Sequence, residues 1–169
     1  KKTKGAAIIA TSILQVISYA AAIRSDDKNK KVIAIIDNKH AQNFSSAELK
    51  WITDGFVDNI YSMDIQNTLG CYNELRDKEK SFDFIVNCAN EPGAEALSVL
   101  IAKENATLFL VNLINDAKQA SLTACSMGKN INIMTLVEYV DNYVTFTYKL
   151  IKQNETAFDK IDLLYKKHE

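Results

Sequence analysis

One short stretch of the chain, Asn87 to Glu95 (NCANEPGAE), holds several side chains of types that could carry out chemistry. Cys88 could act as a nucleophile, but neither histidine lies within ten residues of it to form a thiolate pair, which favours a partly buried structural cysteine. Glu91 and Glu95 could serve as a general acid and base. A charge in the first turn of a helix is the better explanation of Glu95, because it complements the helix dipole.

A second candidate site is the turn Ala10 to Gln15 (ATSILQ), which follows the first apolar run. A chain that clamps a dinucleotide pyrophosphate carries G-x-G-x-x-G here, and Ala10, Ser12 and Gln15 replace all three glycines. Ser12 can still donate its hydroxyl to a phosphate, and a helix that starts at Ile13 offers free backbone N–H groups to an anion. Gln15 is the most damaging substitution, because the third glycine lets the helix pack tightly on the strand.

Asp37 supplies the other half of a dinucleotide fingerprint, because it ends a second apolar run 37 − 15 = 22 residues after Gln15. The expected spacing is about 20 residues. A carboxylate there would bind both ribose hydroxyls of the adenosine and repel a 2′-phosphate, which favours NAD over NADP. A solvated aspartate at a strand end is an equally good interpretation. His40 could contact adenine or a phosphate, although a solvated loop histidine explains it better.

Six apolar runs, each followed by a helical pattern, must position these side chains. The runs are Gly5–Ala10, Val32–Asp37, Asn59–Met63, Phe82–Asn87, Ala106–Asn112 and Ile131–Val137. Continuous apolar strands need burial on both faces, so the pattern predicts an α/β fold with a doubly wound, Rossmann-like parallel sheet. Six strands favour the order 3-2-1-4-5-6 with helices on both faces. A ligand would then lie beyond the carboxyl ends of the strands, where the first and fourth strands meet.

The helical patterns between the runs have predicted bounds of their own. They cover Ile13–Arg24, a helix capped by Ser45 or Ser46, Ile65–Lys78, Ala94–Lys103 and Ala117–Met127, and the chain from Glu138 onward with a break near Asn154. Pro92 suits the first turn of the helix after the fourth strand. Gly128 is expected to stop the helix before it.

Composition excludes several classes of function. The chain has 169 residues, 47% of them hydrophobic and 24% charged, which is typical of one folded domain spanning residues 1–169. It has 20 Lys and Arg against 21 Asp and Glu, and this balance argues against a nucleic-acid partner. Three cysteines without C-x-x-C spacing and two dispersed histidines argue against a disulfide scaffold and a metal site.

The N-terminal segment resembles a targeting signal at first sight. Three lysines precede a largely apolar run from Gly5 to Ile23, as in signal peptides and membrane spans. Polar residues at positions 11, 12, 15 and 18 interrupt the run and would be costly in lipid. The chain also begins at Lys1 rather than Met, so we expect a cytoplasmic domain excised from a longer chain, without a membrane partner.

The stretch Asn87-Cys88-Ala89-Asn90-Glu91-Pro92-Gly93-Ala94-Glu95 resembles the nucleotide-binding half of the zinc-type (medium-chain) dehydrogenase superfamily. Within that superfamily it is most similar to the L-erythro-3,5-diaminohexanoate dehydrogenases of lysine fermentation, in which a similar N-C-x-N-x-P-G phrase follows the fourth strand. The resemblance extends from about Gly5 to Lys166 and includes residues 128–131 (GKNI) and 149–155 (KLIKQNE).

This resemblance implies a Rossmann half that binds NAD(P). Carried over by position, Asp37 would meet the adenosine ribose, Asn90 and Gly93 would lie near the nicotinamide ribose, and Asn112 and Leu113 near the nicotinamide. The first turn departs from the family pattern at all three glycine positions. The family's catalytic half, which supplies most of the substrate and proton-transfer groups, is absent from this chain.

Three hypotheses remain open from the sequence. The first is a non-catalytic domain that senses a small-molecule or nucleotide ligand and has lost the glycine fingerprint. The second is the NAD-binding half of a working NAD-dependent dehydrogenase of the 3,5-diaminohexanoate type. The third is an assembly module, in which the apolar sixth strand (INIMTLV) at the edge of the sheet pairs with a second copy to form a homodimer.

Overall fold

The computed structural model describes residues 5–112, 114–135 and 143–167. The strands in these ranges are β1 (Gly5–Ala10), β2 (Lys31–Asp37), β3 (Asn59–Met63), β4 (Phe82–Asn87), β5 (Ala102–Leu110) and β6 (Asn132–Thr135). The helices are α1 (Ile13–Asp26), α2 (Asn38–Ala41), α3 (Ser46–Thr53), α4 (Thr68–Lys78), α5 (Ala94–Ile101), α6 (Ala117–Ser126), α7 (Tyr143–Gln153) and α8 (Glu155–Lys167).

The strands form one sheet in the order β3-β2-β1-β4-β5-β6. Every pairing in it is parallel. The predicted α/β fold and strand order are therefore confirmed. The chain proceeds from β1 through β2 and β3 to one edge of the sheet, and from β4 through β5 and β6 to the other edge. The strand order therefore reverses between β1 and β4, and the switch point lies at the carboxyl ends of these two strands.

Both faces of the sheet are covered, which explains why β1 and the interior of β2 are apolar at consecutive positions. Along β1, Ala7 and Ile9 face one core cluster, which includes Leu97 of α5. The alternate residues Ala6, Ile8 and Ala10 face a second cluster on the other side of the sheet, with Val16 and Ala20 of α1. A third cluster joins Ile36 of β2 to residues of α1, α3 and α8.

The strand predicted at Ala106–Asn112 in fact begins four residues earlier, at Ala102. The register shifts between Phe82 and Phe84 of β4, and Asn105 has a positive φ of 61°. The irregular pairing lets the polar residues Lys103–Asn105 lie within β5, where they interrupt the apolar pattern of the strand. The sixth strand is described over Asn132–Thr135, and residues 136–137 of its predicted range lie outside the described residues.

Several predicted helix bounds need correction. The helix predicted from Ile65 starts at Thr68, and the one predicted to reach Lys103 ends at Ile101. Pro92 does not lie in the first turn of α5, because Gly93 is its N-cap and the helix starts at Ala94. The short helix α2 has no apolar repeat to predict it.

Other local predictions are confirmed. Ser45 caps α3 and forms a capping box with Glu48. The C-terminal helices are separated at Asn154. Gly128, with φ 63°, follows the end of α6. Cys71 is buried in the core, whereas Cys125 lies on an exposed face of α6. In the parts of the chain that the structure describes, no helix is both long and apolar enough to cross a bilayer.

Candidate functional site

The turn after β1 is closed by the side chain of Gln15. Ser12 is the N-cap of α1, and its hydroxyl accepts from the Gln15 N–H at 3.3 Å. The Gln15 Oε1 atom accepts from the backbone N–H groups of Thr11 and Ser12, both at 3.1 Å, and from the Thr11 hydroxyl at 3.1 Å. These backbone groups are the donors that a phosphate would use at a helix N-terminus.

The same glutamine also spans the switch point. Its Nε2 group donates to the Cys88 carbonyl at 3.0 Å, which links the turn after β1 to the end of β4. Beneath it, Ala10 and Ile13 are buried in the core. The predicted cofactor residues Ala10, Ser12 and Ile13 therefore lie together, but the Gln15 amide lies over them.

Asp37 is fully buried at the end of β2. Its Oδ1 atom accepts from the Lys39 N–H at 3.0 Å and caps α2, while its Oδ2 atom accepts from the Ile65 N–H at 3.2 Å. Asp37 thus joins the turns after β2 and β3. The solvated strand-end interpretation is wrong, because the carboxylate is enclosed by the fold.

Glu91, from the turn after β4, extends to the turns beside Asp37. Its Oε1 atom lies 3.1 Å from His40 Nε2, and its Oε2 atom accepts from Gln66 Nε2 at 3.0 Å. The hydrogen bond from Gln66, followed by that from His40 and the charge of Lys39, holds the pKa of Glu91 below its ordinary value. His40 is exposed as predicted, but it lies in the short helix α2 and not in a loop, and Glu91 is its specific partner.

The turn after β4 is held by its own polar groups. Asn87 is buried, donates to Ser98 Oγ at 3.1 Å and accepts from the Ala89 N–H. The Cys88 thiol is buried against the Ile9 carbonyl, and burial raises the pKa of the thiol to about 12. Cys88 is therefore a buried core residue, which supports the structural interpretation and not the nucleophile.

The turn after β5 is tied to α5 through Glu95. The Glu95 Oε1 atom accepts from Asn115 Nδ2 at 3.0 Å and from the Asp116 N–H at 3.1 Å. Asn115 also donates to the Ala89 carbonyl and accepts from the Asn112 N–H. Glu95 therefore positions the neighbouring turn through these two hydrogen bonds.

A cavity of about 210 Å³ lies between the turns after β4 and β5. Its lining includes Asn90 and the carboxylate-bearing residues Glu91, Glu95 and Asp116. Of the other predicted site residues, Gly93 packs against Thr68 beside the cavity, and Asn112 starts the turn that borders it. Leu113 lies outside the described residues.

Three residues with amide side chains have roles that the sequence analysis did not predict. They are Gln66, Asn115, and Gln15 as the acceptor for the backbone N–H groups of the first turn. One signal was present in the sequence. Ser12 followed three residues later by Gln15 matches the S-x-x-Q form of the capping box, which predicts that the glutamine side chain turns back over the helix N-terminus. Gln66 and Asn115 have no such local signature.

No protein-family model matches the chain, but one known enzyme is similar to it in sequence and solved structures are similar to it in fold. The L-erythro-3,5-diaminohexanoate dehydrogenase of Acetoanaerobium sticklandii is 24% identical over 85 residues, which are 48% of this chain and 25% of that enzyme. The chain therefore spans about a quarter of that relative's length.

Two solved structures match nearly the whole chain. The glucose dehydrogenase of Haloferax mediterranei, in complex with NADP, Zn and gluconolactone, aligns with 95% of this chain and 44% of its own, at a TM-score of 0.66 and 16% identity. S. aureus TarJ aligns with 95% of this chain and 46% of its own, at a TM-score of 0.60 and 15% identity.

The strand order and the likeness to these solved structures together define a Rossmann-like α/β domain. More specifically, the chain has the fold of domains within a glucose dehydrogenase and TarJ, and about half of it is similar in sequence to an L-erythro-3,5-diaminohexanoate dehydrogenase.

Proposed function

We propose that this dehydrogenase-like Rossmann domain is a non-catalytic, ligand-sensing domain. The observation that carries the proposal is the position of Gln15, whose amide oxygen takes the two backbone N–H groups of Thr11 and Ser12. A nicotinamide dinucleotide would need those donors for its pyrophosphate. The residues of the first turn do not fit that group while the Gln15 side chain holds this position.

The second dinucleotide contact is also engaged within the chain. Asp37, which would accept the ribose hydroxyls, is fully buried, and each of its oxygens already accepts a backbone hydrogen bond. Each oxygen keeps a second lone pair, but the carboxylate is enclosed, so a group as large as a ribose could reach it only if the groups around it moved. Both halves of the fingerprint therefore serve the fold, which supports a domain that has kept the architecture and given up hydride transfer.

The open part of the crevice indicates the size of the ligand. Ligand pockets usually measure about 300–1,000 Å³. The cavity between the turns after β4 and β5, at about 210 Å³, suits a small molecule better than a whole dinucleotide. We place the sensed ligand there, next to Asn90.

The alternative function is the NAD-binding half of a working dehydrogenase. The similarity to L-erythro-3,5-diaminohexanoate dehydrogenase and to a glucose dehydrogenase solved with NADP favours it. In that case the Gln15 side chain would rotate away when the cofactor arrives. The chain spans less than half of each of these proteins, so catalysis would require parts of the protein that this chain does not include.

Calorimetric titration with NAD⁺ and NADH separates the two functions. We expect the wild-type chain to show no binding heat at millimolar cofactor, because its phosphate donors are taken. Gln15→Ala removes the amide and is expected to gain measurable binding of both cofactors.

The matched control is Gln119→Ala, since Gln119 stands at the same third position of a helix, α6, and is exposed. This variant should behave as the wild type does. Wild-type binding at tens of micromolar or tighter would contradict the sensing proposal and favour the enzyme.

The edge of the sheet supports a homodimer as the assembled form. β6 is the last strand, pairs with β5, and carries Met134 with half its surface exposed. In the described residues no strand pairs with the other side of β6, and such an edge is a template for pairing with a second copy. We expect the wild-type chain to elute as a dimer in size-exclusion chromatography and Ile133→Lys to elute as a monomer.

Ile133 also packs against the core, so a second variant is needed. Met134→Lys places the charge on the exposed side of the strand and should give the same monomer without disturbing the fold. Unchanged elution of both variants, with native circular dichroism, would rule out this edge as the interface.

A further inference from the structure

Three potential metal ligands from three different elements meet beside the carboxyl end of β2. Asp37, His40 and Glu91 each place one ligand atom within 4.8 Å of the other two. Asp37 ends β2, His40 lies on α2, and Glu91 lies in the turn after β4. We propose that these three side chains form a site for a divalent metal ion. The proposal goes beyond the sensing function and does not depend on it.

Asp37 is the residue that points to a cation. Its carboxylate is fully buried, and its described hydrogen bonds come only from the backbone N–H groups of Lys39 and Ile65. No lysine, arginine or histidine forms an ion pair with it in the part of the chain that the structure describes. Among the described residues, a buried carboxylate with only two backbone donors and no ion-paired positive side chain is suited to a metal ion, which would supply the missing positive charge.

The spacing of the other two ligands suits a small ion. In a tetrahedral zinc site with bonds of about 2.0–2.1 Å, neighbouring ligand atoms lie about 3.3 Å apart. His40 Nε2 and Glu91 Oε1 are 3.1 Å apart. The His40 side chain is 50% exposed, so an ion can enter from solvent with a modest rotation of the ring.

Contacts outside the three ligands already orient them, as expected of a metal site. The second Glu91 oxygen is held by Gln66 Nε2 at 3.0 Å. Asp37 is held by its two backbone donors, and each carboxylate oxygen keeps a lone pair for an ion. The charge of Lys39 opposes a cation, so we expect moderate rather than very tight affinity.

The ligand set favours one class of ion. One imidazole and two carboxylates match zinc and related transition ions, whereas Mg²⁺ and Ca²⁺ prefer oxygen ligands alone. Three protein ligands also leave a fourth position for water, as in zinc sites that remain open. ZnCl₂ is therefore the probe, with CaCl₂ as the comparison.

The test is calorimetric titration of metal-stripped chain with ZnCl₂, in a Cys125→Ser background because Cys125 is an exposed thiol. We expect saturable binding of one ion per chain and a rise in Tm on adding zinc. His40→Ala and Glu91→Gln should each weaken zinc binding at least about tenfold. Removing a residue that only supports a metal ligand already weakens binding about tenfold or more, so removing a ligand itself should cost at least as much. Asp54→Asn, an exposed carboxylate outside the cluster, is the control and should bind normally.

Two outcomes would overturn the site. The first is the absence of saturable zinc binding to the stripped chain. The second is equal affinity in His40→Ala, Glu91→Gln and the control, which would place the ion elsewhere. Circular dichroism of each variant verifies that it is folded, and neither outcome bears on the NAD titration above.

Discussion

Replacing Gly93 with alanine is expected to destabilise the domain by about 3 kcal/mol, because backbone strain and a steric clash act together. Gly93 has φ 91° and ψ −11°, a left-handed conformation that side chains with a Cβ rarely adopt. A Cβ here would also lie 2.4 Å from Thr68 Oγ1 and 3.1 Å from the Ile65 carbonyl oxygen. The loss should lower Tm by roughly 9 °C, measurable by thermal unfolding.

Gly55→Ala is the matched control for this prediction. Gly55 has a similar φ of 83°, but no atom lies within 4 Å of its would-be Cβ. Only the backbone strain of about 1 kcal/mol should appear there. Thr68→Ala in the Gly93→Ala background removes the closest clash and should restore about 1 kcal/mol. Equal losses for Gly93→Ala and Gly55→Ala would show that the contact with Thr68 does not matter.

The packing around Gly93 gives another explanation for a glycine in the turn after β4. By resemblance, Gly93 was expected near a nicotinamide ribose, a role that would explain its lack of a side chain by ligand approach. In the structure it is a residue of the protein itself, Thr68, that comes close to Gly93, since Thr68 Oγ1 lies 3.3 Å from both the Ile65 and Gly93 carbonyl oxygens. A glycine can thus be required by packing alone, without a cofactor.

The sheet was predictable because its signals are local. The central strands are largely apolar runs, and such runs favour parallel pairing and burial on both faces whatever the ligand. The strand order followed from the strand count. The largest error in a strand start, at Ala102, follows from the irregular pairing with β4, which no periodic pattern reveals.

The site was less predictable because its contacts join distant residues. Asp37 was correctly singled out by spacing, yet its burial depends on Ile65, 28 residues away. The contact between Glu91 and His40 spans 51 residues and depends on the sheet bringing two turns together. Of these contacts, only the one made by Gln15 has a local signature, which is the capping box with Ser12. A search for the three glycines does not reveal that the Gln15 amide oxygen accepts from the backbone N–H groups that would otherwise bind a phosphate.

Removing Glu79 is expected to cost about 3 kcal/mol, because its carboxylate joins three elements at the edge of the sheet opposite the ligand crevice. The Glu79 side chain is only 2% exposed and accepts from Lys31 of β2 and from Asn59 and Tyr61 of β3. Glu79→Ala leaves these donors without their acceptor. Urea unfolding at neutral pH measures the loss as a lower midpoint at unchanged slope.

Glu74→Ala is the control, because Glu74 lies on the same helix, α4, and forms a half-exposed ion pair with Lys78. Such surface pairs contribute little, so we expect a change below about 0.5 kcal/mol. If Glu79→Ala costs no more than this control, then the buried carboxylate does not hold β2, β3 and α4 together.

The same residue gives the domain a defined sensitivity to acid. Burial alone would raise the pKa of Glu79, but the hydrogen bonds from Lys31, Tyr61 and Asn59 outweigh it and hold the pKa below the ordinary value of 4.5. A lowered folded-state pKa means that the stabilisation is complete above the unfolded-state pKa and is lost as pH falls through the folded-state value. Glu79→Gln cannot titrate, so its stability relative to wild type should improve as pH falls below about 4.5. A difference between the two proteins that stays constant from neutral pH into this acidic range would show that Glu79 is not the titrating group.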